Sequence, residues 1–405
     1  MSPTTPKIAI LGAGPAGLCL AAILTHHSIP YTLYESDASA ATRTQGGSLD
    51  LHPTTGQQAL RDAGVYEAWE RQARFSGENF VLTDAGGREH VRVQGVAHGR
   101  PEIGRPRLRQ ILLDAVPEER VRWGRRVRSV GEEEKEGKDV VLRFEDGSVE
   151  GGFDLVVGAE GAWSKVRSRL SSLAPFYAGV SGVELWWREV DERYPDISER
   201  IGEGSNFMFG EERGNALLCQ RQDDRSIQAY AWFTAPEHFI RDAGVDWADS
   251  QKVKEWLLEK FEGWSEGQKD LIRKADGDMT PRPLHMLPVG LKWPSRKGLT
   301  VIGDAAHLMT PFAGEGVNLA LTDAMVLAQE IVKSPHDLDR AVQAYEKEMF
   351  PRATESQQRT WHSLQSRFAP GAIAEFQNRI AKMIDRLGLD RKKYILTDIG
   401  NIEKT

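Results

Sequence analysis

The chain has 405 residues, 40% hydrophobic and 27% charged, which suits about two to three domains of ordinary globular composition. Its formal net charge of -7 argues against a nucleic-acid surface, which needs an excess of Lys and Arg. Two cysteines, Cys19 and Cys219, exclude a disulfide scaffold and fit a reduced, cytoplasmic protein, and no uninterrupted apolar segment reaches the roughly 20 residues that span a bilayer.

Lys7-Ile-Ala-Ile-Leu11 reads as a buried strand, and Gly12-Ala-Gly-Pro-Ala-Gly17 turns it into a helix over 15–26 that the His26-His27 pair ends. A second strand, Tyr31-Thr-Leu-Tyr34, delivers Glu35. The Gly-rich loop Gln45-Gly-Gly-Ser-Leu-Asp-Leu-His52 precedes a helix with Ala59, Leu60 and Ala63 on one side. Strands at 80–83 and 91–93 follow, then a helix over 107–115. Strands at 121–130 and 140–144 flank an acidic turn at 132–136. The basic run from Arg120 to Arg128 reads as a strand with a solvated Arg face. The apolar run 153–158 is a further strand. From 180 to 285 the texture changes to aromatic, alternating segments, read as an antiparallel sheet with a helix at 250–261. Leu299-Thr-Val-Ile302 returns as a buried strand before a helix reaching about residue 332, and helical patterns fill 337–350 and 371–387.

The Gly12 turn has the form of a dinucleotide cradle. Gly12 permits the tight turn, Gly14 lets backbone approach a pyrophosphate, and Gly17 lets helix and strand pack closely. Helix-start amides then face the phosphates, and Glu35 stands where an acid binds an adenosine ribose. Two more strand-to-loop stretches carry polar groups: Asp154-Leu-Val-Val-Gly-Ala-Glu-Gly-Ala-Trp-Ser-Lys-Val-Arg167, and Gly303-Asp-Ala-Ala-His-Leu-Met-Thr-Pro-Phe-Ala-Gly-Glu-Gly-Val-Asn318. His307 reads as a structural residue at a helix entry, and Asp304 has a helix N-cap as its plain alternative. No metal cluster and no nucleophile triad is present in the pattern.

Three fingerprints in this order resemble the single-component FAD-dependent aromatic hydroxylases, the para-hydroxybenzoate hydroxylase-like family, and among them the tetracycline-inactivating flavin monooxygenases. The stretches Gly46 to His52 and Pro101-Glu-Ile-Gly-Arg-Pro-Arg-Leu-Arg109 share in the resemblance, which fades through the aromatic sheet. It implies an α/β fold: a Rossmann-like FAD-binding domain of glutathione reductase type (1–75, 100–178 and 282–335), an inserted antiparallel substrate sheet (76–99 and 179–281) and a C-terminal helical region (336–405). It also implies that Gly12, Gly14, Ala16, Gly17, Glu35, Asp50, Arg105, Glu160, Asp304, Pro311, Gly314, Gly316, Val317 and Asn318 hold FAD. Asp304 would bind the ribityl chain, and the helix near Gly316 would face the flavin N1/C2 carbonyl. Arg43 matches a position implicated in NADPH docking. Two departures stand out. Glu160 replaces the family's Asp, and Ser36 replaces a common Arg.

The activity implied is an NADPH- or NADH-consuming monooxygenase that uses O2 and hydroxylates an aromatic, enolic or polycyclic molecule through a flavin C4a-hydroperoxide. The cofactor, not a side chain, does the chemistry. A flavin reductase or dehydrogenase without oxygen transfer, and a tetracycline-inactivating hydroxylase, are the alternatives. A flavin halogenase is disfavoured because Trp186-Trp187-Arg188 lacks the Trp-x-Trp-x-Ile-Pro pattern. Met208, Gln228, Tyr230 and Trp232, with Phe312 below, are the expected substrate lining, with ordinary aromatic core packing as the competing account. The expected partner is a small molecule rather than a membrane or nucleic acid, and the expected state is a monomer.

Overall fold

The structure is a computed structural model that describes residues 6–42, 46–132 and 140–397. Two compact units emerge. One comprises Met1–Ala73, Ile103–Phe176 and His285–Trp361; the other comprises Arg74–Glu102, Tyr177–Leu284 and His362–Thr405. The 336–405 stretch is therefore divided between them rather than standing as a third region.

The first unit is built on a parallel sheet in the order Leu299–Val301, Leu155–Gly158, Ile8–Leu11, Tyr31–Tyr34, Val121–Arg122. Every residue of the first three strands is buried, which is why they read as apolar runs and not as alternating ones; the one polar side chain, Thr300, donates to Glu346 at 3.0 Å. Helix Pro15–His26 makes the crossover and buries all residues from Ala16 to Leu24. Helix Gly316–Lys333 packs beside it.

The region 121–130 differs from the sequence expectation. Gly124, at φ +68°, breaks it into Val121–Arg122 in the parallel sheet and Val127–Glu132 in a separate antiparallel sheet with Val140–Phe144 and Val149–Phe153. Part of the basic run is paired as well: Arg125 donates to Asp146 at 2.6 Å and to Glu150 at 2.8 Å. The acidic turn beyond Glu132 lies outside the described residues. Helix Leu338–Arg367 runs straight through Pro351, where the sequence suggests a stop. A proline there removes one ladder bond, but Tyr345, Met349 and Ala353 are buried around it and hold the helix in place.

The second unit carries a seven-stranded sheet in the order Asp276–Met286, Phe176–Trp187, Ile227–Thr234, Asn215–Arg221, Ser205–Gly210, Phe80–Asp84, Glu89–Val93. It is mixed rather than purely antiparallel, because Ser205–Gly210 runs parallel to Phe80–Asp84. Strand alternation separates two faces. One carries Val183, Leu185, Trp187, Leu217, Cys219, Ile227, Ala229, Ala231 and Phe233 into an apolar cluster with residues of helices Pro195–Ile201, Ser250–Lys260 and Glu266–Lys274. The other carries Glu184, Trp186, Gln228, Tyr230, Trp232, Phe207 and Phe209. At one end of this second face, Phe376 of helix Ala372–Arg386 makes ring contacts with Phe80, Phe207 and Phe209.

Candidate active site

The first strand of the parallel sheet ends in a turn that only glycine can make. Gly12 sits at φ +104°, and a Cβ there would lie 2.6 Å from the Ala159 carbonyl oxygen. A Cβ on Gly17 would lie 2.0 Å from the Gly12 carbonyl oxygen, so helix and turn are in closest approach. Gly14 is the opposite case: a Cβ there would meet nothing within 4 Å. Gly14 is also the N-cap of helix Pro15–His26, and no side chain caps that helix start. Its orphan amides are left for another acceptor.

Glu35 is buried against this turn. Its carboxylate accepts the Ala13 amide at 2.6 Å, the Asp37 amide at 3.0 Å and the Ser36 hydroxyl at 2.9 Å. Arg109 locks the same turn from below. It donates to the Ala13 carbonyl at 3.2 Å and the Ala40 carbonyl at 2.9 Å, and faces Asp37 at 3.9 Å. The sequence reading passed over Arg109 in favour of Arg105. The available signal was its place on the buried stripe with Leu108, Ile111 and Leu112 in helix Arg105–Asp114.

Arg105 is exposed, and its amide donates to Gly47 at 3.1 Å while its side chain lies against Gly46, where a Cβ would come within 2.8 Å of its Cδ. The short strand Ser48–Asp50 then reaches the start of helix Gly316–Lys333 through Asn318. That amide donates to the Asp50 carbonyl at 2.9 Å and accepts from the His52 amide at 2.8 Å. Asp50, bonded to His52 at 3.0 Å, has a carboxylate oxygen 3.8 Å from where a Cβ on Gly314 would be. Gly316 has open space where a Cβ would be, and its helix likewise starts without a side-chain cap.

The third fingerprint meets the first at Gly303, where a Cβ would be 3.2 Å from the Cβ atoms of both Ala16 and Ala320. Asp304 follows it. Its side chain does not cap the short helix Asp304–His307; it is exposed and has no hydrogen bond among the described residues. His307 instead turns inward onto Asp323, which also accepts the Gly303 amide at 2.9 Å and an Arg352 N–H at 2.9 Å. Burial alone would raise the Asp323 carboxyl, but the His307 ring and Arg352 guanidinium hold it below the usual carboxylate range. This buried cluster clamps the backbone that presents Asp304. Pro311 and Gly314 are exposed in the following loop, and Phe312 is buried in it.

Glu160 is a clamp of the same kind. One carboxylate oxygen accepts the Lys165 and Val166 amides at 2.8 and 3.0 Å; the other is buried with no hydrogen-bond partner among the described residues. Burial pushes this carboxyl above its ordinary range. Arg167 extends the clamp to the third fingerprint through the Ala305 carbonyl at 3.0 Å. Arg43 lies outside the described residues.

These features fit a dinucleotide. Two uncapped helix starts, each with a Cβ-free open approach at Gly14 or Gly316, offer amides to an anionic group. The carboxylate of Asp304, exposed and without a hydrogen bond among the described residues, follows the strand Leu299–Val301. Residues 5–360 match a family described as the FAD binding domain. The chain belongs to this family. The chain is similar to the monooxygenase penA of Penicillium thymicola, 32% identical over 427 aligned positions that cover 92% of this chain and 98% of the relative. Among solved structures, HpxO of Klebsiella pneumoniae, complexed with FAD and uric acid, superposes with a TM-score of 0.76 at 20% identity, covering 94% of each chain. The tetracycline destructase Tet(55) superposes with a TM-score of 0.70 at 23% identity, covering 95% of this chain and 97% of its own. At those identities the two structures speak for the fold alone. The protein is an FAD-dependent monooxygenase.

The expected substrate residues separate. Gln228, Tyr230 and Trp232 share the second face of the seven-stranded sheet. Met208 does not: it is fully buried and pairs with Leu217, so it joins the helix-covered apolar cluster on the opposite face. The expectation failed there because the strand Ser205–Gly210 was read without its register. Around Gln228 the structure assembles a polar chain that sequence spacing hides. Gln228 donates to Glu184 at 2.6 Å and to Tyr230 at 3.2 Å, Trp186 donates to Glu184 at 3.1 Å, and Arg282 grips the other Glu184 oxygen at 2.7 Å. Tyr230 stacks on Trp232 with centroids 5.0 Å apart.

Proposed function

We propose that this protein is a NAD(P)H-consuming hydroxylase of an aromatic or polycyclic small molecule, with FAD held by the Gly12, Asp304 and Gly316 segments. The observation that carries the reading is the open, uncapped cradle at Gly14, Asp304 and Gly316 within a chain of monooxygenase family. In it, Gly14 and the start of helix Pro15–His26 receive the pyrophosphate, Glu35 holds the adenosine end, and Asp304 the polyol. The start of helix Gly316–Lys333 offers positive dipole to the negative charge that a reduced flavin carries. When bound, FAD supplies reduction by a nicotinamide cofactor and activation of O2. The protein's own task is to orient the acceptor and exclude water, and the aromatic second face of the sheet, with its Glu184, Gln228 and Tyr230 chain, is suited to orienting a flat ring. The relatives' names support a small-molecule acceptor, tetracyclines among the compounds to try. We read the protein as a cytoplasmic monomer.

The test is NADPH oxidation measured with O2 uptake and peroxide release, on FAD-loaded protein, across phenolic, polyketide and tetracycline compounds. A compound that speeds NADPH use while peroxide stays low, and that gains label from 18O2, is the expected result. Consumption that ends wholly in peroxide across the panel would count for a reductase instead.

A further inference from the structure

Helix Leu338–Arg367 carries the pattern Glu-x-x-x-Arg twice, at Glu348/Arg352 and at Glu355/Arg359. The two arginines are two helical turns apart and lie on one face. Each pairs with the glutamate one turn before it and also reaches a carboxylate of the neighbouring helix Gly316–Lys333 or its start. Arg352 meets Asp323 and Arg359 meets Glu315, so the two helices run antiparallel with an ion pair at each of two rungs. The Arg352 rung braces Gly303 through Asp323. The Arg359 rung sits at the helix start itself.

Glu315 is the N-cap residue of helix Gly316–Lys333. Both of its carboxylate oxygens are taken: Arg359 Nε donates to one at 2.9 Å, and Nη2 donates to the other at 2.7 Å. Nη2 also donates to Ser356 at 3.1 Å, which steadies the guanidinium fork. A carboxylate at a helix start is drawn to the free amides there and cancels part of their positive field. Glu315 makes no such capping bond, because Arg359 turns it aside. Thr360, fully buried, donates to the Met309 sulfur at 3.4 Å, so the same turn of helix also fixes the loop that leads to Gly314. Glu315 is 20% exposed, whereas Glu355 is 71% exposed and its charge is screened by solvent.

We propose that Arg359 is a positioning residue for the flavin: it neutralises Glu315, holds that carboxylate off the amides of helix Gly316–Lys333, and so keeps the reduction potential of the bound cofactor from falling. The placement of this helix start at the flavin rests on the proposed function; the pairing of Glu315 with Arg359 does not. In that reaction the nicotinamide cofactor is oxidised and the flavin gains two electrons and one proton, which leaves the ring with a net negative charge. A free carboxylate at the helix start opposes that charge, and an ion pair does not.

The experiment measures the two-electron potential of FAD-loaded protein by dye-coupled reductive titration at low ionic strength. Arg359→Gln is expected to move the reduction equilibrium about threefold to tenfold toward oxidised flavin, roughly 15–30 mV. Glu315→Gln leaves the cation unpaired and moves it the opposite way, and the double variant returns to near wild type. Arg359→Lys, which keeps the charge without the fork, stays near wild type. The assignment is overturned if the two single variants move the potential in the same direction, if neither moves it, or if the double variant keeps the full shift of Arg359→Gln. A pair that only braces the loop lowers the flavin-free melt in both single variants and gives no opposite signs in the potential. Failure of the cofactor placement is separate, and Gly316→Ala reports it, since its Cβ meets nothing within 4 Å. Unchanged FAD affinity in that variant removes the placement along with the assignment, whereas weakened affinity beside unmoved potentials removes the Arg359 assignment alone.

Discussion

Replacing Gly14 by alanine separates cofactor binding from folding. Its backbone, at φ -81° and ψ 179°, is one that alanine adopts freely, and the added Cβ meets nothing within 4 Å. The folded protein therefore loses no contact, while the unfolded chain loses freedom, so the FAD-free protein should gain about 0.4–1 kcal/mol. The methyl group instead occupies the space through which a pyrophosphate reaches the amides of helix Pro15–His26. Losing one hydrogen bond to a charged group costs roughly 1.5–3 kcal/mol, so FAD affinity should fall about 10- to 150-fold. Gly17→Ala is the control: its Cβ would lie 2.0 Å from the Gly12 carbonyl oxygen, and the backbone must move. That variant should lose about 1–3 kcal/mol or more of stability. Circular dichroism melts of flavin-stripped protein and a flavin fluorescence titration measure the two effects. Full FAD affinity in Gly14→Ala, or a melt as low as that of Gly17→Ala, would refute the cradle as described.

Asp304→Ala removes an exposed carboxylate that has no hydrogen bond among the described residues, so the flavin-free melt should stay within about 0.5 kcal/mol; the FAD titration should nevertheless weaken about tenfold or more. Asp323→Asn strands the buried His307 and the half-buried Arg352, and should cost about 3–5 kcal/mol in urea unfolding. Because the Asp323 carboxyl is held low in the folded state, its stabilisation is present above its unfolded value of about 4 and is lost as pH falls through the folded one; the variant should lack that acid-side loss. Glu160→Gln has the reverse sign. A carboxyl raised by burial weakens the fold as pH rises above about 4.3 and its charged form must be accommodated, so the variant should match wild type near pH 4 and exceed it at pH 8. Gly182→Ala would drive a Cβ to 2.3 Å from the Trp232 ring, and should cost about 1–3 kcal/mol while raising the KM of the acceptor identified by the turnover assay more than it lowers kcat.

The parallel sheet was open to reading because its signals are local. Buried strands 8–11 and 155–158 are unbroken apolar runs, strand 299–301 is interrupted only by Thr300, and glycine at 12 and 17 marks a turn that no other residue makes. The misses share one cause, which is that distant partners decide them. Nothing local shows that 121–130 breaks between two sheets at Gly124; the break depends on Val121 finding Leu33. Nor does local sequence carry Pro351 through a helix, since core burial at Tyr345 and Met349 does so. Period-two alternation did assign Gln228, Tyr230 and Trp232 to one face. It could not say whether Met208, on a strand two places away in the sheet, shares that face.

The cofactor site and the substrate face differ in how they are encoded. A dinucleotide is held largely by backbone amides and close approaches, so glycine, proline and a strand-end acid mark its site within short stretches of chain. A flat acceptor is met by side chains that register alone brings together. Glu184 and Gln228, for example, come from two neighbouring strands and meet only through their register. Such side chains can change without disturbing the glycine turns, which is why the FAD half can be named from its sequence and the acceptor cannot.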